Sequence, residues 1–332
     1  MNFLGVLFGS PPAPAKMAAP GRQYATRPTT TGTRPRVIHV RLEAAHLLLR
    51  SGFRADAQAE GPISVESALD GLLITGVGRG DGSPPMCRLE IPEGATVDLQ
   101  IGRGGLTVRD FRGTLRARVE SGGVSIAQSE GEFRVVVPNG RADFERVRGD
   151  IDILTSNDTV RARETRGGLQ VVSNAGAIEL DNIDGPVVAR TTNGSIWASD
   201  LRSSARLSTR TGPVHISGVC GQLTVRTQSG DVTLDCSIVA HTSLETYKGN
   251  LDVKLGPQTN AHLEARVAQG VVRAERISPL PGSSRRRLRS TVGPGQSRLR
   301  LASELGAINI VGPPRVARVP HASTQPDSAR VR

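Results

Sequence analysis

The residues that could carry chemistry are few and scattered. Six histidines (His39, His46, His215, His241, His262 and His321) occur without a His-x-His or His-Glu-x-x-His spacing, so no pair is pre-set to grip a metal. Cys87, Cys220 and Cys236 are the only cysteines, too few and too far apart for a zinc cage or a disulfide framework. No Gly-x-Ser-x-Gly elbow is present, and no helical pattern follows Gly76-x-Gly78-x-Gly80 or Gly102-x-Gly104 to aim N–H groups at a phosphate. Hydrolysis of a glycoside would need two carboxyl groups about 5 to 9.5 Å apart, and Asp152 and Glu179 are the candidates. Trp197 is the single tryptophan; a large aromatic at an outward position suits contact with a partner. Arg285, Arg286, Arg287 and Arg289 form a dense basic run that could meet the phosphates of RNA or of an anionic lipid. Asn157-Asp-Thr159 and Asn193-Gly-Ser195 fit the glycosylation pattern, but both fall where a turn would favour Asn anyway.

The elements that must position these residues follow a nine-residue beat. Stepping by nine from Gly104 to Gly230 gives fifteen positions, of which thirteen are Gly and the others Asp158 and Ser203. The second and fourth residues after each marker, from Leu106/Val108 to Val232/Leu234, are apolar in all thirty cases, with polar residues usual between them. A spacing of two with polar residues between predicts short strands with one buried face. Glycine ahead of each strand allows the positive φ of a tight turn.

A second beat of eighteen lies over the first. Seven residues past alternate markers stand Phe111, Ser129, Val147, Thr165, Ile183, Leu201, Val219 and Ser237, mostly apolar. The intervening set is Glu120, Pro138, Ser156, Asn174, Thr192, Arg210 and Gln228, mostly polar. Two strands and two unlike corners per eighteen residues cannot bury an apolar face alone, whereas stacked copies can. The expectation is an all-β, flattened two-sheet β-solenoid with nine-residue strand-turn units, eighteen residues per coil and irregular β caps at its ends. The rival, a β-sandwich, tolerates loops of varying length, which the fixed spacing argues against. The stack should be about 35 Å long at ~4.8 Å per rung.

This register also arranges the candidate residues. His215 should lie over Trp197 and under Thr233 on the outer face. Asp152 falls between Arg134 and Gln170, and Glu179 between Arg161 and Trp197. The acids therefore read as charge compensation, not as a catalytic dyad.

Along the chain we expect a leader at 1–42, an irregular N-terminal cap at 43–103 and the solenoid at 104–275. A basic Pro/Gly/Ser/Arg loop follows at 276–297, then a final coil at 298–311 and a tail at 312–332. Segments such as Gly176-Ala-Ile-Glu-Leu-Asp-Asn-Ile-Asp-Gly185, Thr227-Gln-Ser-Gly230-Asp-Val and Ile91-Pro-Glu-Gly94 resemble an adhesin-like β-solenoid repeat family. It is a widespread bacterial domain of unknown function with eukaryotic members. The resemblance covers roughly 60–275 and implies a β-solenoid without established catalysis; it brings no catalytic residues.

Composition bounds the remaining possibilities. The 332 residues are 37% hydrophobic and 3% aromatic, with a net charge of +11. No apolar run approaches the roughly 18 residues of a membrane-spanning helix. The charge sits at the ends: 1–42 hold six Lys/Arg and no acid, and 271–332 hold twelve against three acids, leaving −4 for 43–270. A DNA-binding face across the body is accordingly disfavoured. The acid-free, Arg-containing first segment, with Arg22-Gln23-Tyr24-Ala25, suits a mitochondrial presequence cleaved near Tyr24/Ala25; secretion is the alternative address. Taken together, we expect a non-enzymatic scaffold or protein-interaction module that needs no cofactor and has a protein partner. Two alternatives stay open: an RNA- or anionic-lipid-associated protein anchored by its Arg-rich loop and tail, and a secreted surface adhesin or glycan-binding solenoid.

Overall fold

The structure, a computed structural model, describes residues 37–52, 58–60, 63–68, 71–76, 84–236 and 240–314. Among them the chain is all-β, with no helix, and its strands wind into a parallel β-solenoid. In the body each strand pairs with the strand one coil on, and register partners are eighteen residues apart. Val160 lies beside Ile178, which lies beside Ile196. On the other ladder Leu169 lies beside Val187, which lies beside Ala205. The ladders are not separate sheets by hydrogen bonding. Val37–Gly52 and Ala95–Arg109 are long enough to run through a corner, and they join all 27 strands into one network.

The apolar pattern is realised residue by residue. All thirty positions picked out by the nine-residue beat are buried, none more than 4% exposed. Of the positions seven past alternate markers, Phe111, Ser129, Val147, Thr165, Ile183, Leu201 and Val219 are buried too; Ser237 lies outside the described residues. None of the intervening polar set is buried. The core is thus a narrow column of small and medium aliphatics. Near its N-terminal end it takes in aromatic rings, and Phe111 meets Phe133 edge-on at 6.0 Å between ring centroids.

The two corners turn by different means. At one, a non-glycine residue recurs every eighteen residues in the left-handed region: Asp110, Gln128, Arg146, Glu164, Asn182 and Asp200, with φ between 50° and 54°. The residue after it points inward. At the other corner a buried hydroxyl closes four of the turns: Thr191 donates to the carbonyl of Gly176, Thr209 to Gly194, Thr246 to Gly230 and Ser303 to Gly249. Those carbonyls belong to the preceding coil, so each hydroxyl also ties one rung to the next.

Turn conformation explains only part of the glycine beat. A Cβ on Gly122 would sit 1.4 Å from the carbonyl oxygen of Gly104, and φ there is +141°. At Gly185 no left-handed φ applies, yet a Cβ would still sit 2.0 Å from the Gly167 oxygen. The shared requirement is that successive coils touch backbone to backbone at the marker.

Both ends depart from chain order. Val37–Gly52 pairs on one side with Gly71–Gly76 and Met86–Pro92, and on the other with Ala95–Arg109. The first strand is therefore threaded inside the outermost coil. At the far end Ser297–Leu305 lies between Thr242–Lys248 and Ala261–Gln269, and Ile308–Val311 between Leu251–Leu255 and Val272–Glu275. Antiparallel strands then close the outermost coils. Gln58–Glu60 pairs with Met86–Pro92, Ser64–Ala68 with Gly71–Gly76, and Arg287–Val292 with Ala261–Gln269.

These features correct several expectations. Residues 37–42 open the first strand, so a leader ending at 42 is drawn too long; the rest of that reading falls on 1–36, outside the described residues. Much of 43–103 is regular coil, because its strands share the body's parallel register. The stretch 276–297 is not loop throughout, since Arg287–Val292 is a strand. The final coil 298–311 returns to the next-to-last place in the stack, not the last. The tail reading, 312–332, falls largely on 315–332, which also lie outside the described residues. Among the described residues no disulfide is formed, and burial raises the thiol pKa of Cys87.

Two substitutions test this packing. Ile178 is fully buried, and Ile178→Asp would place a carboxylate in the column at a cost of several kcal/mol. We expect it to abolish the cooperative thermal transition. Gly185→Ala should lower stability by about 2–3 kcal/mol through overpacking against backbone that cannot yield. Gly123→Ala, whose nearest neighbour is 3.8 Å away, should stay within about 0.5 kcal/mol. A thermal melt of Ile178→Asp checks the first effect, and denaturant melts of Gly185→Ala and its control Gly123→Ala check the second.

Candidate functional site

Parallel stacking turns residues eighteen apart in sequence into neighbours on the surface. The strands Val160–Arg166, Ile178–Asp184, Ile196–Leu201, Val214–Val219 and Val232–Cys236 carry one outward column. It runs Arg161, Glu179, Trp197, His215, Thr233. Each side chain points out because the residues on either side of it in its own strand point into the core.

Trp197 is 49% exposed. Its indole stacks on the His215 imidazole, with centroids 4.0 Å apart and planes 22° from parallel, and its Nε1–H donates to Ser195 Oγ at 3.2 Å. An aromatic side chain held on one face and by its only donor loses little rotamer freedom on meeting a partner. On the other side Arg161 hydrogen-bonds Glu179 and holds its carboxyl below the usual carboxylate range, against burial that would raise it. A carboxylate kept ionised by a guanidinium suits charge pairing with a partner and is poorly placed to give up a proton.

A second outward column runs beside the first: Arg163, Asp181, Ser199, Ser217 and Asp235. Ser199 Oγ donates to Asp181 Oδ1 at 2.6 Å. Between the columns lies a shallow depression of about 750 Å³, lined by Trp197 and His215 of the first column, Asp181 and Asp235 of the second, and Glu179. The face therefore offers an aromatic platform, two serine hydroxyls and three carboxylates against Arg163. It can take a partner that presents cations or hydroxyls around an apolar surface.

The other candidates go elsewhere. Asp152 pairs with Arg134 at 3.4 Å on the opposite ladder, so it and Glu179 do not converge. Arg285 and Arg286 sit at the turn entering Arg287–Val292. Arg287 and Arg289 lie within that strand and reach Glu264 at 3.1 and 3.8 Å. None of the four is near Trp197. Among the described residues, no group of three or more His, Cys, Asp or Glu side chains could hold a metal.

Reading Trp197 alone missed Asp181, Ser199, Ser217 and Asp235. The signal was available, because the fifth residue after alternate markers forms a column just as the third does. It also missed Tyr247, 57% exposed on a strand where the offset has become nineteen: Thr224 pairs with Ser243.

The profile of a family described as Toastrack DUF4097 matches residues 89–311. A solved structure of a candidate cell adhesion protein from Clostridium sporogenes is similar at 11% identity, over 85% of this chain and 94% of that one, with a TM-score of 0.18. No curated protein matches the sequence. The family match spans 223 of the 332 residues, and the chain belongs to the Toastrack DUF4097 family.

Proposed function

We propose that this protein is a non-enzymatic interaction scaffold that engages a protein partner through the Trp197–His215 face. We read each coil as flattened, with two nine-residue strand-turn units on two opposed faces, so that one face can be dedicated to contact. The observation that carries the proposal is a single tryptophan, half exposed, stacked on its neighbour and bordered by carboxylates. Large aromatics in such settings supply a disproportionate share of binding energy. The carboxylates favour a partner segment bearing Arg or Lys, and the adhesin-like reading draws on the same surface. The acid-free leader supports a mitochondrial address, which N-terminal sequencing of the mature protein would support with a start at or near Ala25.

A second reading, a glycan ligand, draws on the same platform with its hydroxyls and carboxylates. The two separate by ligand class: a glycan array against a screen of basic peptides.

The test uses Trp197 twice, as the sole tryptophan and as the anchor. Partner binding should shift its emission. Trp197→Ala should weaken the reconstituted complex by about 2 kcal/mol, roughly 30-fold, with thermal stability little changed. Arg206→Ala, on the opposite ladder, should leave affinity as it is. Equal affinity for the wild type and Trp197→Ala would contradict the proposal. So would a catalytic turnover that Glu179→Gln or Asp181→Asn abolishes.

A further inference from the structure

The far end of the solenoid carries a second surface of different chemistry. Residues 261–311 hold nine Arg and no Lys against Glu264, Glu275 and Glu304. The topology gathers five of those arginines on one face of three adjacent strands, Ser297–Leu305, Ala261–Gln269 and Arg287–Val292. Across these strands Arg300, Glu264 and Arg289 lie in one row. Arg266 stands beside Arg287 in the next row, and Arg298 beside His262 in the row on the other side.

Like charges opposite each other on paired strands are destabilising. Elsewhere some outward arginines, Arg50, Arg134, Arg161 and Arg226 among them, have a carboxylate within reach. Here only Glu264 serves, drawn on by Arg287 and Arg289. Among the described residues no carboxylate lies within ion-pair distance of Arg266, Arg298 or Arg300. The row structure therefore leaves a block of positive charge that its own side chains do not neutralise.

Two apolar observations mark the same end. Of the five large hydrophobic side chains exposed among the described residues, Val271 and Leu280 (39% and 46%) belong to this terminal coil. Leu280 is fixed beside the outer edge of Arg287–Val292, since its N–H donates to the Arg289 carbonyl at 2.7 Å. Arg285 and Arg286 lie on the opposite side, toward Ala261–Gln269 and Val272–Glu275: their carbonyls accept from Val272 and Val267.

We propose that this end of the solenoid docks onto an anionic lipid surface, with Arg266, Arg287, Arg289, Arg298 and Arg300 facing the headgroups and Leu280 and Val271 reaching the acyl boundary. Cations combined with exposed aliphatics are what an interfacial contact requires. Single-stranded RNA would be expected to use aromatic stacking platforms, and residues 249–332 contain no Phe, Tyr or Trp. The surface is on the strand ladder that does not carry Trp197, so the scaffold can hold a protein partner while attached.

Co-sedimentation of the full chain with phosphatidylcholine vesicles, with and without phosphatidylserine, tests this. Binding should require phosphatidylserine and weaken as salt rises. Arg266→Gln/Arg298→Gln/Arg300→Gln should weaken it roughly a hundredfold, and Leu280→Ser should weaken it measurably. Arg116→Gln/Arg190→Gln/Arg206→Gln, the same charge change in the body, should have much the smaller effect. Thermal melts confirm that each variant is folded. Absence of phosphatidylserine-dependent binding overturns the proposal. Equally tight binding of an oligouridine strand, indifferent to Leu280→Ser, overturns it in favour of RNA.

Discussion

A coil of this protein can satisfy its backbone only through the coils on either side of it. Every hydrogen-bonded ladder in the body is parallel and runs between successive turns, so no coil is a folding unit alone. That dependence explains why backbone must meet backbone at the glycine markers, with no room for a Cβ between Gly167 and Gly185. It also explains why the buried hydroxyls of Thr191, Thr209 and Thr246 reach carbonyls of the preceding coil. The apolar column supplies the driving force, while these contacts hold the register.

The same dependence makes the ends a problem, because an unpaired parallel edge is a template for association. The chain answers in the same way at both ends. An out-of-order segment, Val37–Gly52 or Ser297–Val311, is enclosed as the next-to-last coil, and an antiparallel strand covers part of the last one. Stripping a terminal coil therefore requires unpairing a segment that is bonded on both sides.

How much of this was legible in the sequence depends on the range of the interaction. The core was readable because burial follows local alternation, and the stacking of Trp197 on His215 was readable because the offset of eighteen is constant there. The end topology was not, since Val37 pairs with Thr96 and Thr242 with Leu299 at offsets that no periodicity announces. The left-handed corner was hidden for another reason. Its residues are Asp, Gln, Arg, Glu, Asn and Asp, and the corner constrains the backbone without selecting one side chain. The arginines at 285–289 read as part of a loop because a strand paired antiparallel to a distant partner leaves no local trace. Their companions Arg266, Arg298 and Arg300 are scattered in sequence and meet only in the fold.

The account rests on distance along the stack growing with rung number and not with sequence separation. Arg116, Arg206 and Arg300 belong to one ladder, five and then three rungs apart. Pulsed electron–electron resonance on spin labels at these sites measures it directly. At ~4.8 Å per rung the account predicts about 24 Å between 116 and 206 and about 38 Å between 116 and 300, apart from label length. Distances that do not increase in the ratio of five to eight, or a 116–300 distribution too broad to define a rung, would contradict it.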